Sequence, residues 1–162
     1  MSNNQILSQS KVDQIVKRIA YQVHENNMDD DVIIVGVEPG GKKLADQLNT
    51  NLAEIKGRES ICFSIALDKE NPLNKDIIID GDVDQLKGKT VILCDDVLNS
   101  GRTLAYSLTK LLTLEVKKVE TAVLVLRTHG KFPIYANYKG YELSTTINEM
   151  VEVRAGNGVY LS

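Results

Sequence analysis

Three short runs of β-branched and aliphatic residues, at 32–37, 90–94 and 119–126, constrain the fold of this chain most strongly. Such runs, largely without polar alternation, are typical of strands buried on both faces of a parallel sheet. Two segments with helical spacing of apolar residues, 42–53 and 103–114, lie between them. Strands that alternate with helices predict right-handed βαβ units, and therefore an α/β fold whose mostly parallel central sheet is flanked by helices.

The remaining segments predict one more helix, one more strand and a small C-terminal hood. Residues 11–25 have helical spacing with Ser10 as the N-cap, and residues 60–67 form an apolar strand. The polar, turn-rich residues 68–76 predict a loop. Short extended segments are predicted after this loop and in the hood, at 77–79, 141–145, 150–153 and 158–161.

Composition limits the domain count and the class of partner. The 162 residues, 43% hydrophobic and 25% charged, fit one domain spanning 1–162, with residues 1–10 as a loose N-terminal tail. A net charge of −3 argues against a nucleic-acid binder held mainly by phosphate contacts. The sequence has no signal-peptide pattern, no long apolar run and no Cys or His cluster, so we expect a cytoplasmic protein with no membrane contact and no structural zinc site.

Residues 90–103 carry most of the functional signal. A buried strand is followed by the adjacent carboxylates Asp95 and Asp96, a short loop and a helix start at Thr103. A helix N-terminus at the carboxyl end of a strand favours an anion such as phosphate, whereas two carboxylates suit sugar hydroxyls or a cation. Each residue alone is more often a cap or a solvated strand end. Their combination predicts a site for a phosphorylated sugar.

This segment resembles the binding signature for phosphoribosyl pyrophosphate (PRPP) in type I phosphoribosyltransferases. The resemblance implies that Asp95 and Asp96 hold the ribose hydroxyls and act as the catalytic pair. It also implies a Mg²⁺ cofactor bound through PRPP, with no firm direct protein ligand. The loop residues expected to wrap the 5′-phosphate are Asn99, Ser100, Gly101, Arg102 and Thr103.

The wider chain is similar to the pyrimidine operon regulator/uracil phosphoribosyltransferase (PyrR) family, through residues 35–45 and 127–134. That similarity implies the reaction of uracil with PRPP to give UMP and pyrophosphate, in a homodimer or larger homo-oligomer. It also implies a pyrophosphate loop, formed by Pro39, Gly40 and Gly41, and three residues near the base or nucleotide, namely Val97, Arg127 and His129.

Two loops depart from the pattern of this family. Residues 39–41 stand where the family has Thr-Arg-Gly, so a charged contact to pyrophosphate is missing, for which Lys42 or Lys43 could partly substitute. The second is the loop predicted near 68–76, which in the family is a flexible lid. There, residues 67–70 replace a Tyr-Arg-Asp run, and Lys69 is the remaining cation. The sequence therefore supports PRPP binding more strongly than catalysis.

The acceptor base and a regulatory role remain open. Asn99 stands where purine-salvage enzymes of the superfamily carry an Asp, which argues against hypoxanthine or guanine. The alternative function is a PyrR-like sensor of nucleotide or PRPP with little turnover, and a third is transfer to another acceptor. RNA binding is possible but not favoured, because Gly130 and Tyr135 replace family arginines, and only Lys110, Lys117 and Lys118 offer a basic patch.

Overall fold

A computed structural model describes residues 4–162. The helices are α1 (Gln9–Asn26), α2 (Gly40–Lys56) and α3 (Arg102–Leu112), and a single 3-10 turn lies at Val83–Leu86. The strands are β1 (Asn4–Leu7), β2 (Val32–Val37), β3 (Cys62–Ala66), β4 (Ile78–Asp80), β5 (Thr90–Leu98), β6 (Lys118–Arg127), β7 (Tyr138–Leu143), β8 (Val151–Arg154) and β9 (Gly158–Leu161).

Six strands form the central sheet in the order β4-β3-β2-β5-β6-β7. All neighbouring pairs are parallel except β3 and β4. One face, with Ile34 and Ile92, packs on α1 and α2, and the other, with Val35 and Leu93, packs on α3. Burial on both faces explains why these strands have continuous apolar sequences, and it confirms the predicted α/β class.

A second sheet of three strands, in the order β1-β9-β8, lies beside α1. The prediction of a loose tail over residues 1–10 is wrong where the structure describes it, because residues 4–7 form β1 and pair with β9. Residues 1–3 of that tail lie outside the described residues. The helix cap is also corrected: α1 begins at Gln9, and the Ser8 side chain, not that of Ser10, accepts a hydrogen bond from the Lys11 amide at 3.2 Å.

The C-terminal region divides between the two sheets. Strand β7, predicted as part of the hood, extends the central sheet by pairing with β6. The hood is the sheet formed by β8, β9 and β1. Strand β1, from the start of the sequence, therefore pairs with β9, from its end. No helix within residues 4–162 is both long and apolar enough to cross a membrane.

Strand register brings two loops together. Strands β2 and β5 are adjacent and parallel, with Gly36 opposite Cys94. The loop after β2 and the loop after β5 therefore leave the same edge of the sheet side by side, at the carboxyl ends of the strands, where open α/β sheets bind ligands.

Candidate active site

Two glycines allow the β2–α2 loop to lie directly against the acidic pair. A Cβ at Gly41 would overlap the Cys94 carbonyl oxygen and would lie 2.9 Å from the Asp95 Cα. A Cβ at Gly40 would overlap the Asp96 carboxylate. Residues 40 and 41 therefore have to be small for this packing, and the loop predicted to bind pyrophosphate borders the predicted ribose site.

Asp95 is almost completely buried, with 4% of its surface exposed. Burial raises the pKa of its carboxyl to about 8, the Lys69 ammonium opposes this rise, and the Asp96 carboxylate adds to it. The Asp95 Oδ1 accepts a hydrogen bond from the Asp96 amide at 2.9 Å, and the Lys69 Nζ lies 3.9 Å from it. A buried carboxyl that is costly to ionise gains from an approaching hydroxyl donor or cation.

The two carboxylates line different clefts, as expected for adjacent side chains of a strand. The α3 cleft, of about 260 Å³, is lined by Asp95, Val97 and Lys69 together with residues 98–104. The α2 cleft, of about 360 Å³, lies beside α1 and α2. Its lining includes Asp96, Pro39, Gly40, Lys43 and Arg154. The acidic pair therefore forms the ridge between a cleft on the α3 side and a cleft on the α2 side.

The loop that borders the α3 cleft is held in place before any ligand binds. Gly101 is the N-cap of α3 and has a φ of +86°, a conformation that a side chain disfavours. The Ser100 hydroxyl accepts a hydrogen bond from the Arg102 amide at 3.2 Å. The Ser100 carbonyl accepts two more, from the amides of Lys131 and Phe132, at 2.9 Å each. These contacts place a helix N-terminus and two hydroxyl residues, Ser100 and Thr103, around one cleft.

Arg127 and His129 connect the loop after β5 to the segment before the hood. The buried Arg127 guanidinium donates to Asn99 Oδ1 at 2.9 Å, to Thr145 Oγ1 at 2.7 Å and to the Glu149 carbonyl at 2.8 Å. His129 Nε2 lies 2.8 Å from the Thr145 carbonyl. Among the described residues, neither Arg127 nor His129 lines the α2 or the α3 cleft. Their contacts position the loop and the segment around residue 145.

The lysines considered in the sequence differ in their surroundings. Lys69 reaches the α3 cleft, whereas Lys42 pairs with Asp46 on the same helix at 2.9 Å. Lys117 and Lys118 both form ion pairs with Asp30. Lys118 also lies 4.0 Å from the Glu120 carboxylate, so these two lysines face two carboxylates. The basic patch considered for RNA is therefore weakened.

Most of the chain matches a known protein family. A family model described as the phosphoribosyl transferase domain matches residues 2–155. The chain belongs to the phosphoribosyltransferase family. Within the family it is similar to bifunctional protein PyrR of Haemophilus ducreyi, with 34% identity over 157 residues that cover 92% of this chain and 88% of that protein. It is also 31% identical to bifunctional protein PyrR of a Thermoanaerobacter species, with the same coverage of both chains.

Solved phosphoribosyltransferases share the fold at low sequence identity. A hypoxanthine phosphoribosyltransferase from Staphylococcus aureus superposes with a TM-score of 0.74 at 19% identity, covering 91% of this chain and 80% of its own. A hypoxanthine-guanine phosphoribosyltransferase from Bacillus anthracis gives a TM-score of 0.75, also at 19% identity, covering 91% of this chain and 84% of its own. These likenesses confirm the type I phosphoribosyltransferase fold predicted from the sequence.

The donor set fits a metal that arrives with its ligand. Within residues 4–162, no group of three or more His, Cys, Asp or Glu side chains is placed to hold a metal ion. Asp95 and Asp96 offer two carboxylates beside the clefts, and Mg²⁺ prefers six oxygen ligands, several of them water or phosphate. A Mg²⁺ ion at this site would therefore take most of its ligands from a bound phosphate compound and water.

Sequence reasoning did not identify two groups of the site. Arg154 comes from the hood, about 60 residues after the acidic pair, and no local pattern links it to the loop at 39–41. Thr145 has no motif around it, although it contacts both Arg127 and His129. Of the two cations that line the α2 cleft, the sequence pointed only to Lys43, which lies two residues after the loop at 39–41.

Proposed function

We propose that this protein is a PRPP-dependent phosphoribosyltransferase that converts uracil and PRPP to UMP and pyrophosphate. The observation that carries the proposal is the division of the acidic pair between two clefts. Asp95 faces a cleft bordered by a helix N-terminus, and Asp96 faces a cleft bordered by the loop at residues 39–41. A ligand with a phosphate at one end, a sugar in the middle and a diphosphate at the other end matches this arrangement.

In the proposed reaction the protein acts mainly by positioning. The loop at 99–103 holds the 5′-phosphate, and the two carboxylates hold the ribose hydroxyls. The bond from C1 to the pyrophosphate oxygen then breaks as uracil N1 bonds to C1, and the N1 proton is released to water. A Mg²⁺ ion bound with PRPP would supply positive charge for the leaving pyrophosphate.

The surroundings of Asp95 suit this role. Because the carboxyl is buried and its pKa is raised, a ribose hydroxyl that donates a hydrogen bond relieves the cost of its ionisation. Lys69 supplies part of that compensation in the unliganded protein, from 3.9 Å. The side chain of Lys69 is 38% exposed, so it can withdraw into water when a ligand enters.

The choice of uracil depends on the base side of the α3 cleft. Asn99 replaces the Asp expected in purine-salvage enzymes, and its side-chain oxygen already accepts a hydrogen bond from Arg127. Because Asn99 is neutral and its Oδ1 is already hydrogen-bonded, it is poorly suited to accept a hydrogen bond from a protonated purine nitrogen. The relatives named PyrR add support for a pyrimidine acceptor.

The proposal also includes a homodimer or larger homo-oligomer, which light scattering on the purified protein tests.

The test is a single incubation with PRPP, Mg²⁺ and a mixture of nucleobases, followed by separation of the products. The Asp95→Asn/Asp96→Asn variant is the control. We expect UMP and pyrophosphate from the natural protein, and at least a 100-fold slower reaction in the variant, because two charge-assisted contacts are lost. A purine nucleotide as the main product would overturn the choice of uracil. No nucleotide, with PRPP and UMP still bound, would favour a sensor.

A further inference from the structure

The α2 cleft contains two cations that the loop at residues 39–41 does not supply. We propose that Lys43 and Arg154 bind the pyrophosphate end of PRPP and replace the arginine absent from that loop. This inference rests on the proposed function and adds the residues that recognise the diphosphate. Lys43, Arg154 and Asp96 are the charged residues that line the cleft, and Arg154 is also paired with Glu152, which does not line it.

Lys43 is available for an anion. It lies in the first turn of α2, two residues after Gly41, and it lines the α2 cleft. Within the described residues it has no hydrogen-bond or ion-pair partner. The adjacent Lys42, in contrast, pairs with Asp46 at 2.9 Å and does not line the cleft. Two neighbouring lysines thus differ in whether their charge is already balanced.

Arg154 is held at the opposite wall of the cleft by its own neighbours. Its guanidinium stacks 4.2 Å from the centroid of the Tyr160 ring and pairs with Glu152 at 2.8 Å. A stacked guanidinium loses little further conformational freedom when it binds a phosphate. Arg154 therefore offers an oriented, planar donor group at the cleft that it lines.

The hood is tied to α1 next to this arginine. The Gln9 side-chain oxygen accepts a hydrogen bond from the Gly158 amide at 3.1 Å, and Gln9 itself lines the cleft. Strand β1 pairs with β9 and adds a second connection between the hood and the amino-terminal part of the chain. The turn that follows Arg154 is consequently fixed against the helices that form the other wall.

The missing side chain at Gly40 also makes room. An arginine there would extend from the loop at the point where the backbone already meets the Asp96 carboxylate. With glycine, the loop offers only backbone, and the cleft keeps about 360 Å³ beside it. Positive charge then reaches the same space from α2 and from the hood, which preserves charge-assisted binding of a diphosphate.

Calorimetric titration of three ligands in the presence of Mg²⁺ tests this inference. PRPP, pyrophosphate and ribose 5-phosphate are titrated into the natural protein and into Lys43→Gln, Arg154→Gln and Lys42→Gln. We expect PRPP and pyrophosphate to bind roughly tenfold or more weakly to the first two variants, because each loses one charged contact. Ribose 5-phosphate should bind them unchanged, and the Lys42→Gln control should match the natural protein for all three ligands. Arg154→Lys, which keeps the charge, should recover part of the loss.

The outcomes separate the inference from the proposed function. If PRPP binds the natural protein and binds both Gln variants equally well, the inference is overturned and the proposed function stands. If the two Gln variants bind ribose 5-phosphate as weakly as they bind pyrophosphate, relative to the natural protein, the two side chains act on the general structure. The inference is then also overturned. If the natural protein binds neither PRPP nor ribose 5-phosphate, the proposed function itself fails.

Discussion

The two clefts on either side of the acidic pair are built in different ways. Apart from Lys69, the α3 cleft is lined by residues from one short stretch of chain, Asp95 and 97–104. The α2 cleft combines α1, Pro39 and the first turns of α2, two central strands, and the end of β8 with the turn after it. A ligand site made from one stretch is visible in the sequence as a motif. A site made from several distant stretches is visible only after folding.

The clefts also differ in how they attract an anion. The α3 cleft relies on backbone amides at a helix start and on small hydroxyl residues, which are held by the contacts of Ser100. The α2 cleft has glycines in its loop and takes its charge from Lys43 and Arg154. Substitutions in the first cleft should therefore act through backbone geometry, and substitutions in the second through side-chain charge and space.

The largest effect on stability is expected at Gly41, and the matched variant is at Gly40. A methyl group at residue 41 meets the backbone of Cys94 and Asp95, which cannot move without disturbing β5. We expect Gly41→Ala to lower the free energy of unfolding by about 2–3 kcal/mol in urea titrations. The three atoms nearest to a methyl group at residue 40 all belong to the Asp96 carboxylate, which can move. We therefore expect Gly40→Ala to lose less than about 1 kcal/mol of stability and to bind PRPP more weakly. Equal losses of stability would contradict the described packing of the loop.

A smaller effect separates backbone strain from ligand binding in the α3 cleft. Gly101 and Gly57 have φ values of +86° and +67°, and Gly57 lies at the far end of α2. Alanine at either position should cost about 1–2 kcal/mol of stability, because both require a left-handed conformation. Gly101→Ala should cost somewhat more, because its Cβ would lie 3.2 Å from Ile134 and from the Phe132 carbonyl oxygen, whereas Gly57 has open space. Only Gly101→Ala should weaken the binding of ribose 5-phosphate, as measured by calorimetry. A similar loss of affinity in Gly57→Ala would show that strain alone, and not the loop, controls binding.

The last expected effect is a pH-dependent gain in stability when Asp95 is replaced by Asn. Because the pKa of Asp95 is raised to about 8 in the folded protein, the folded state holds a proton that the unfolded state releases near pH 4. The contribution of this carboxyl to stability is full below pH 4 and falls as the pH rises toward 8. Asp95→Asn should therefore be more stable than the natural protein at pH 8.5, by at least about 1 kcal/mol in free energy of unfolding and a few degrees in melting temperature. The difference should shrink at pH 5, and a constant difference at both pH values would exclude this origin.

Much of the central sheet could be predicted, because burial on both faces leaves a continuous apolar pattern. Strands β2, β5 and β6 and helix α3 lie at or near their predicted positions. The predictions failed where structure depends on distant partners. Residues 4–7 form a strand by pairing with β9. Strand β7 belongs to the central sheet, and not to the hood, because it pairs with the exposed edge of β6.

The candidate site follows the same division. Residues 95–103 could be proposed from their order alone, since a strand, a carboxylate pair and a helix start are consecutive. The partnership of Arg127 with Asn99 spans 28 residues, and Arg154 reaches its cleft through the three-stranded sheet. Neither is encoded in a local pattern. The charge that residues 39–41 lack could therefore be noticed in the sequence, while its source in the hood could not.

The most direct test of the central claim is calorimetric titration of PRPP, with Mg²⁺, into the natural protein and into Asp95→Asn/Asp96→Asn. The account predicts one PRPP bound per chain, with affinity at least 100-fold lower in the variant, because two carboxylates on a shared ridge hold the ribose. Thermal unfolding of both proteins controls for loss of the fold. No binding to the natural protein, or equal binding to a folded variant, would contradict the assignment of this ridge to PRPP.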